Sequence, residues 1–96
     1  TATKVQNLVF ACDAGMGSSA MGASVLRNKI KKAGIEGVTV SNKAIANLSG
    51  DEDLIITQEE LTDRAKQKNP NAQHVSVGNF MNAPQYDQVV EQLKNQ

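Results

Sequence analysis

The sequence has a single cysteine, Cys12, among its 96 residues. One thiol cannot form a disulfide within the chain, and no second cysteine is present to resolve an oxidised sulfur. We therefore expect a reducing, cytoplasmic location and do not favour a thiol redox role. The single histidine, His74, has no cysteine, histidine or carboxylate partners at metal-ligand spacing. We expect no metal and no other cofactor, and interpret His74 as a structural residue that begins a strand.

An excess of charge of one sign is also missing. Ten lysines and arginines balance ten aspartates and glutamates, and no block of like charge occurs. Nothing here indicates binding to nucleic acid or to an anionic membrane surface. The longest strongly apolar runs, residues 8–11 and 54–56, are far shorter than the roughly 20 residues that span a bilayer. We expect no nucleic-acid partner and no direct membrane insertion of this domain.

What the chain does contain is a series of short apolar runs, at residues 7–11, 38–40, 54–56 and 75–77. Runs that lack polar alternation are typical of strands covered on both faces, so we expect four buried parallel strands. Strands that alternate with helical segments predict an α/β fold. We expect a single three-layer domain over residues 1–96. It has a four-stranded parallel sheet flanked by helices, a phosphate loop after the first strand and a polar N-terminal lead-in at residues 1–6.

Helical segments are predicted from apolar spacing and from capping residues. A first helix ends at Gly34, whose place after the last periodic residue is typical of a C-cap. The spacing of Thr57 and Glu60 is that of a capping box. We therefore expect a second helix from Thr57 to about Lys68, ending before Pro70 because the residue before a proline disfavours helical geometry.

A last helix is predicted after the fourth apolar run. Asn82 can cap it and Pro84 suits its first turn. Its buried stripe consists of Tyr86, Val89, Val90 and Leu93. The segment 42–50 has no clear period, but Ile45 and Leu48 lie three residues apart. One or two helical turns are expected there.

The stretch FACDAGMGSSAM, residues 10–21, places Cys12 at the end of the first predicted strand, before a turn and a helix that starts at Ser18 or Ser19. Ligand sites in parallel sheets form at the carboxyl ends of strands. Gly15 and Gly17 allow the backbone to turn its N–H groups inward, and the helix N-terminus adds unpaired donors and partial positive charge. Such donors bind phosphate and also favour a thiolate.

From this arrangement we predict that Cys12 is a nucleophile toward phosphorus. The loop that follows is predicted to hold the three phosphoryl oxygens, with hydroxyl donors from Ser18 and Ser19. A lone cysteine beside a strand is most often a small buried hydrophobe, and the glycines can be plain turn formers. We favour the functional interpretation, because a packing cysteine needs neither two glycines nor a helix start directly after it.

Two kinds of chemistry use a cysteine in a phosphate loop. In cysteine phosphatases of the low-molecular-weight type the loop has the pattern C-x5-R, and the arginine clamps the transferring phosphoryl group. Here the corresponding position is Ser18, and Arg27 lies more than two turns further along the helix. This favours a phosphocysteine that is formed and passed on over one that is hydrolysed.

The residues at this point resemble a known family. The stretches ACDAGMGSSAMGASVLRNKI, DLIIT followed by ELTDRA, and NAQHVSVGNF resemble the cytosolic B domains (enzyme IIB) of mannitol-specific permeases in the bacterial phosphoenolpyruvate-dependent sugar phosphotransferase system. The resemblance runs from about Val5 to the last helix. It implies a four-stranded parallel sheet flanked by helices, in agreement with the expectation from the apolar runs.

The resemblance also implies roles for residues and partners. Cys12 matches the phosphorylated cysteine, which accepts a phosphoryl group from a phosphohistidine on the A component. It then passes that group to mannitol held by the membrane-embedded C component. The residues that match the family's phosphate loop, mainly through backbone N–H groups, are Asp13, Ala14, Gly15, Met16, Gly17, Ser18 and Ser19. The function expected is thus that of a phosphotransferase, in a domain or subunit associated with an inner-membrane permease.

Other functions stay open at the level of sequence. One is a cysteine phosphatase, and another is the B component for a different sugar. A third is an anion-binding module without catalysis, in which serine could replace Cys12. Met16, Met21, Phe80 and Met81 are expected to lie near the loop, where they could form a rim for transient docking, although core filling is equally compatible with Met21.

Overall fold

The computed structural model describes residues 5–12, 18–78 and 84–95, and of Ser18 and Ser19 the backbone only. Four strands and three α-helices are present in this part of the chain. In order they are β1 (Asn7–Cys12), α1 (Ser18–Lys32), β2 (Thr39–Ala44), β3 (Leu54–Gln58), α2 (Thr62–Lys68), β4 (Gln73–Val77) and α3 (Gln85–Lys94). Single 3-10 turns, Ile45–Asn47 and Glu59–Leu61, follow β2 and β3.

The strands form one parallel sheet in the order β2-β1-β3-β4. The step from β1 to β2 and the step from β3 to β4 run in opposite directions across the sheet. Right-handed crossovers therefore put α1 and α2 on opposite faces. Helix α3 packs beside α1, while α2 packs beside the 3-10 turn Ile45–Asn47. The predicted α/β fold with a helix-flanked, four-stranded parallel sheet is confirmed.

Burial differs between the inner and the outer strands. Every residue of β1 after Asn7 is buried, and so is β3 as far as Thr57. The edge strands β2 and β4 are only partly covered. The expectation of four fully buried strands is thus wrong for β2 and β4, because an edge strand has a neighbour on one side only. The lead-in also contributes to the core, since Val5 is buried.

The first helix ends as predicted. Gly34 has a φ of 73°, which glycine adopts without a steric penalty. Its N–H donates to the carbonyl of Lys31 at 3.1 Å, and the N–H of Ile35 donates to the carbonyl of Ile30 at 3.2 Å. This pair of bonds is a Schellman motif, and Ile35 packs against the core beyond it.

The predicted capping box at Thr57 is wrong. Thr57 belongs to β3, where it pairs with Ser76 of β4, and its side chain is fully buried. A buried hydroxyl needs a hydrogen-bond partner. The partner of Thr57 Oγ1 is Thr62 Oγ1, 2.6 Å away. Thr62 Oγ1 in turn lies 2.6 Å from Ser76 Oγ. The α-helix starts only at Thr62, after the 3-10 turn, and ends at Lys68 before Pro70, as expected.

The prediction of one or two helical turns in segment 42–50 is confirmed as one 3-10 turn, Ile45–Asn47, whose C-cap is Leu48. Strand β2 continues to Ala44 because it pairs with β1 along its whole length, and only one 3-10 turn follows. Residues 75–77 are part of β4, which begins earlier, at Gln73. Pro84 immediately precedes α3, and its φ of −62° suits a helix start. The predicted cap Asn82 lies outside the described residues.

A buried carboxylate joins the segments that lead into β3 and β4. Glu52 accepts hydrogen bonds from the backbone N–H groups of Ser49 at 2.9 Å and Gly50 at 3.0 Å, and from Asn69 Nδ2 at 3.0 Å. Lys43 Nζ lies 3.4 Å from the same carboxylate. Burial alone would raise the pKa of Glu52, but the hydrogen bonds outweigh it and hold the pKa at about 2, below its ordinary value of 4.5.

Close packing between α1, β1 and α3 leaves no room beside Gly22. The rings of Phe10 and Tyr86 meet edge to face, with centroids 5.6 Å apart. A Cβ on Gly22 would lie 2.8 Å from Phe10 Cε2 and 2.9 Å from Tyr86 Oη. Both rings are fully buried, and burial raises the pKa of Tyr86 to about 12.

We predict that Gly22→Ala lowers the free energy of unfolding by about 1–2 kcal/mol. Overpacking of a rigid core costs about 1–3 kcal/mol, which exceeds the gain in helix propensity of about 1 kcal/mol. Urea unfolding followed by circular dichroism measures the change. The matched control is Gly78→Ala, whose new Cβ would meet only Glu59 Oε1 at 3.8 Å. Equal stability of the two variants would contradict the packing described for Gly22.

We predict that the Glu52 carboxylate contributes stability at neutral pH that is lost on acidification. The native state lowers this pKa from 4.5 to about 2. The contribution is therefore complete above pH 4.5 and disappears as the pH falls toward 2, with a total of about 3 kcal/mol. Glu52→Gln should be less stable than wild type at pH 7 and should lose less stability between pH 5 and pH 2. Urea unfolding at several pH values tests this, with the exposed Glu36→Gln as control. Parallel pH profiles for wild type and Glu52→Gln would contradict it.

Candidate active site at the carboxyl edge of the sheet

Cys12 is the last residue of an inner strand. It pairs with Ala44, the last residue of β2, and only 4% of its surface is exposed. The pairing of β1 with β2 thus extends to Cys12, whereas its pairing with β3 covers Leu8 to Phe10. The thiol therefore lies at the edge of the sheet where ligands of open α/β folds bind.

The N-terminus of α1 is the nearest source of electrostatic stabilisation along the chain. Helix α1 starts six residues after Cys12, at Ser18, is 15 residues long and packs on β1 and β2. Its first turn has no acidic residue, while Lys29, Lys31 and Lys32 lie in its last turn. The unpaired N–H groups and the positive end of the helix dipole are thus left without a neutralising side chain in that turn. Such an end favours a bound phosphoryl group.

The predicted loop falls largely outside the described residues. This applies to Asp13, Ala14, Gly15, Met16 and Gly17, and also to Phe80 and Met81. Ser18 and Ser19 are the first two residues of α1, as expected. Their role as hydroxyl donors to phosphate stays a prediction, as does the cradle of backbone N–H groups.

Arg27 does not take the place of the arginine of a phosphatase loop. Its Nη2 donates to the carbonyl of Val40 on β2 at 2.7 Å, which directs the guanidinium along the outer strand. His74 is the second residue of β4 and lies toward the amino end of that strand. Its Nε2 is 2.8 Å from the carbonyl oxygen of Asn69, and its buried Nδ1 has no hydrogen-bond partner among the described residues. His74 therefore has the structural setting that the sequence predicts.

Met21 is on the surface near the start of α1. Its exposed fraction is 48%, and it is the only large hydrophobic residue so exposed in the described part of the chain. Core filling by Met21 is thus excluded. Within the same residues, no group of three or more His, Cys, Asp or Glu side chains is arranged to hold a metal ion. None of the described helices has the length and hydropathy of a membrane span.

One feature near this edge was missed by sequence reasoning. The 3-10 turn after β2 and helix α2 enclose a groove of about 360 Å³, lined by Ile45, Ala46, Arg64, Gln67 and Lys68. We call it the η–α2 groove. The spacing of Arg64, Gln67 and Lys68 along α2 is visible in the sequence, but the turn that faces them follows a strand longer than predicted.

Comparison with known proteins adds to this geometry. The family described as "PTS system, Lactose/Cellobiose specific IIB subunit" matches residues 7–92. The chain is 61% identical over 90 residues to the "PTS system mannitol-specific EIICB component" of Bacillus subtilis (strain 168). That match covers 94% of this chain and 19% of the Bacillus protein. Proteins of the same name from Staphylococcus saprophyticus and Geobacillus stearothermophilus are 62% and 60% identical over 92 and 91 residues.

In those two cases the match covers 96% and 95% of this chain, and 18% and 19% of the relatives. The chain thus spans about a fifth of the length of these proteins. The resemblance found in the cysteine loop extends over nearly all of the sequence. On these grounds the chain belongs to the IIB subunit family of the PTS system.

Proposed function

We propose that this chain is a phosphoryl carrier in sugar uptake, a phosphotransferase B domain that corresponds to residues 1–96. Cys12 accepts a phosphoryl group from a phosphohistidine on the A component and transfers it to mannitol bound by the membrane-embedded C component. The observation that carries the proposal is the position of Cys12 at the carboxyl end of an inner strand, just before a helix whose first turn lacks acidic residues. Family membership supports it.

The first step moves the phosphoryl group from nitrogen to sulfur. The Cys12 thiolate attacks phosphorus, the S–P bond forms as the P–N bond of the phosphohistidine breaks, and the electron pair of that bond returns to the imidazole. The reaction needs an in-line arrangement of the two nucleophiles and stabilisation of the phosphoryl oxygens. The strand position of Cys12 provides the in-line arrangement. Backbone N–H groups of residues 13–17 and the groups at the start of α1 stabilise the phosphoryl oxygens.

The second step moves the phosphoryl group from sulfur to a mannitol hydroxyl. The hydroxyl oxygen attacks phosphorus, the O–P bond forms as the S–P bond breaks, and Cys12 leaves as a thiolate while the hydroxyl proton passes to water. A carrier must hold the thiophosphate firmly and still release it. Neutral backbone donors do so without the extra charge of an arginine clamp. The engagement of Arg27 with Val40 supports transfer over hydrolysis for this reason.

Mannitol is chosen over other sugars because the relatives at about 60% identity are named mannitol-specific. The family description names lactose and cellobiose, but it comes without the level of identity that the mannitol-specific relatives show. The relatives are called EIICB components, a name that joins a C and a B component in one protein. We infer that the domain acts on the cytoplasmic side, beside a C component to which it is attached or bound.

The first prediction from this mechanism concerns the phosphorylated residue. Incubation with phosphoenolpyruvate, the general phosphotransfer proteins and a mannitol A component should add one phosphoryl group to the wild type and none to Cys12→Ser. Intact-mass spectrometry measures the adduct. Addition of membranes with the C component and mannitol should remove it. An adduct that persists in Cys12→Ser would contradict the assignment of Cys12, and the absence of any adduct on the wild type would contradict the carrier function.

A second prediction separates transfer from hydrolysis. Wild type should release phosphate from a generic aryl phosphate no faster than Cys12→Ala, because Ser18 stands where a phosphatase has its arginine. A phosphate-release assay at neutral pH measures this. Cysteine-dependent turnover in this assay would favour the phosphatase alternative.

A further inference from the structure

One residue from each of β1, α1 and α3 meets at a single buried contact. Phe10 of β1 and Tyr86 of α3 pack edge to face, and both rings are fully buried. Gly22 of α1 completes the contact, because a Cβ there would lie 2.8 Å from Phe10 Cε2 and 2.9 Å from Tyr86 Oη. We call Phe10, Gly22 and Tyr86 the aromatic junction. It leaves α1 no room to move closer to β1.

The aromatic junction lies at the same depth below Cys12 and below the start of α1. Cys12 follows Phe10 by two residues, so the two side chains share a face of the sheet, about 7 Å apart along the strand. Gly22 follows Ser18 by four residues, about 6 Å along the helix axis. The contact of Phe10 with Gly22 therefore brings the thiol and the first residue of α1 to the same height at the carboxyl edge.

Tyr86 closes this junction from α3, outside the continuous run of strand, loop and helix. It is the second residue of α3, and its ring packs against Phe10 with the hydroxyl beside Gly22. An ion pair between Lys29 and Asp87 also joins α1 to α3, but both side chains are exposed and such pairs contribute little. The buried ring of Tyr86 is thus the stronger constraint on where the first turns of α1 lie.

The position of α1 matters for the proposed chemistry. On that function, groups at the start of α1 stabilise the oxygens of the phosphoryl group carried by Cys12. Such donors act at distances of about 2.7–3.1 Å, and a misplacement of about 1 Å can cost about a hundredfold in rate. In a core packed as densely as an organic crystal, a large side chain cannot be replaced without movement of its neighbours. A change at Tyr86 is therefore transmitted to the start of α1.

We propose that Tyr86 is a positioning residue for phosphoryl transfer, which holds the N-terminus of α1 at the separation from Cys12 that the transferring group requires. The proposal rests on the carrier function proposed above. Tyr86 does not touch the reacting atoms and acts through the packing of its ring on Phe10 and Gly22. Both half-reactions pass through phosphorylated Cys12, so Tyr86 affects both.

The test compares substitutions at two buried positions of α3. Tyr86→Leu removes the ring from the junction, whereas Leu93→Ala removes buried contacts about 10 Å further along the helix. Rapid-quench measurements of transfer from the phosphorylated mannitol A component to Cys12 give kcat and KM. We expect Tyr86→Leu to lower kcat about tenfold or more with little change in KM, and Leu93→Ala to keep a kcat close to that of the wild type. Tyr86→Phe keeps the ring and should recover most of the lost rate.

A second variant and a second reaction separate positioning from loss of stability. Thermal unfolding identifies the variants that are folded at the assay temperature. Gly22→Ala displaces α1 within the same junction and should also lower kcat without a matching change in KM, which keeps the test decisive where Tyr86→Leu does not fold. Single-turnover transfer from phosphorylated Cys12 to mannitol, on membranes with the C component, should slow by a similar factor.

Several outcomes would overturn the positioning role. These are a wild-type kcat in folded Tyr86→Leu or Gly22→Ala, an equal loss of kcat in Leu93→Ala, a change confined to KM, and slowing of one half-reaction only. A wild type that accepts no phosphoryl group would instead overturn the carrier function itself.

Discussion

The pairing of β1 between β2 and β3 is the constraint on which the rest of the structure depends. Pairing with β2 runs along the whole strand to Cys12, and pairing with β3 runs from Leu8 to Phe10. Every residue from Leu8 to Cys12 is buried, and α1 packs on the same strand and on β2. On the proposed function this support matters, because a small displacement of an atom that must attack phosphorus in line lowers the rate strongly.

Two acidic residues hold the strands together at the end of the sheet away from the thiol. Asp53 Oδ2 accepts hydrogen bonds from the N–H groups of Gln6 and Asn7, each at 3.0 Å, and its backbone bonds to Asn7 and Gln73. Glu52 adds its own set of bonds beside it. Together they hold the starts of β1, β3 and β4 in register. On the proposed function, partners dock at the opposite, carboxyl edge of the sheet.

The parts of the fold that local sequence decides could be predicted. The inner strands follow from apolar runs, and the end of α1 follows from Gly34, since a left-handed residue after a periodic segment has few other uses. The errors arise where tertiary contacts override a local signal. Thr57 has the spacing of a helix cap, but its pairing with Ser76 and its bond to Thr62 keep it in β3.

The same limit applies to the candidate site. Cys12 and the start of α1 could be found from the sequence because strand, turn and helix follow one another along the chain. The η–α2 groove could not, since its two walls are separated by β3 and meet only after the crossover is complete. Glu52 was missed for a related reason: its donors come from residues 49–50 and from Asn69. A single acidic residue in a polar segment of the sequence does not indicate that its side chain is buried.

A phosphoryl carrier must meet two partners in turn with one surface, and this sets opposing demands. Binding that is too tight would slow release of the first partner and so delay the second transfer. Charged contacts at the edge of an interface satisfy both demands, because they raise the rate of encounter while they add little to the lifetime of the complex. On the proposed function, Cys12 at the end of an inner strand carries the chemistry, and the surface around it has to be recognised by both partners in turn.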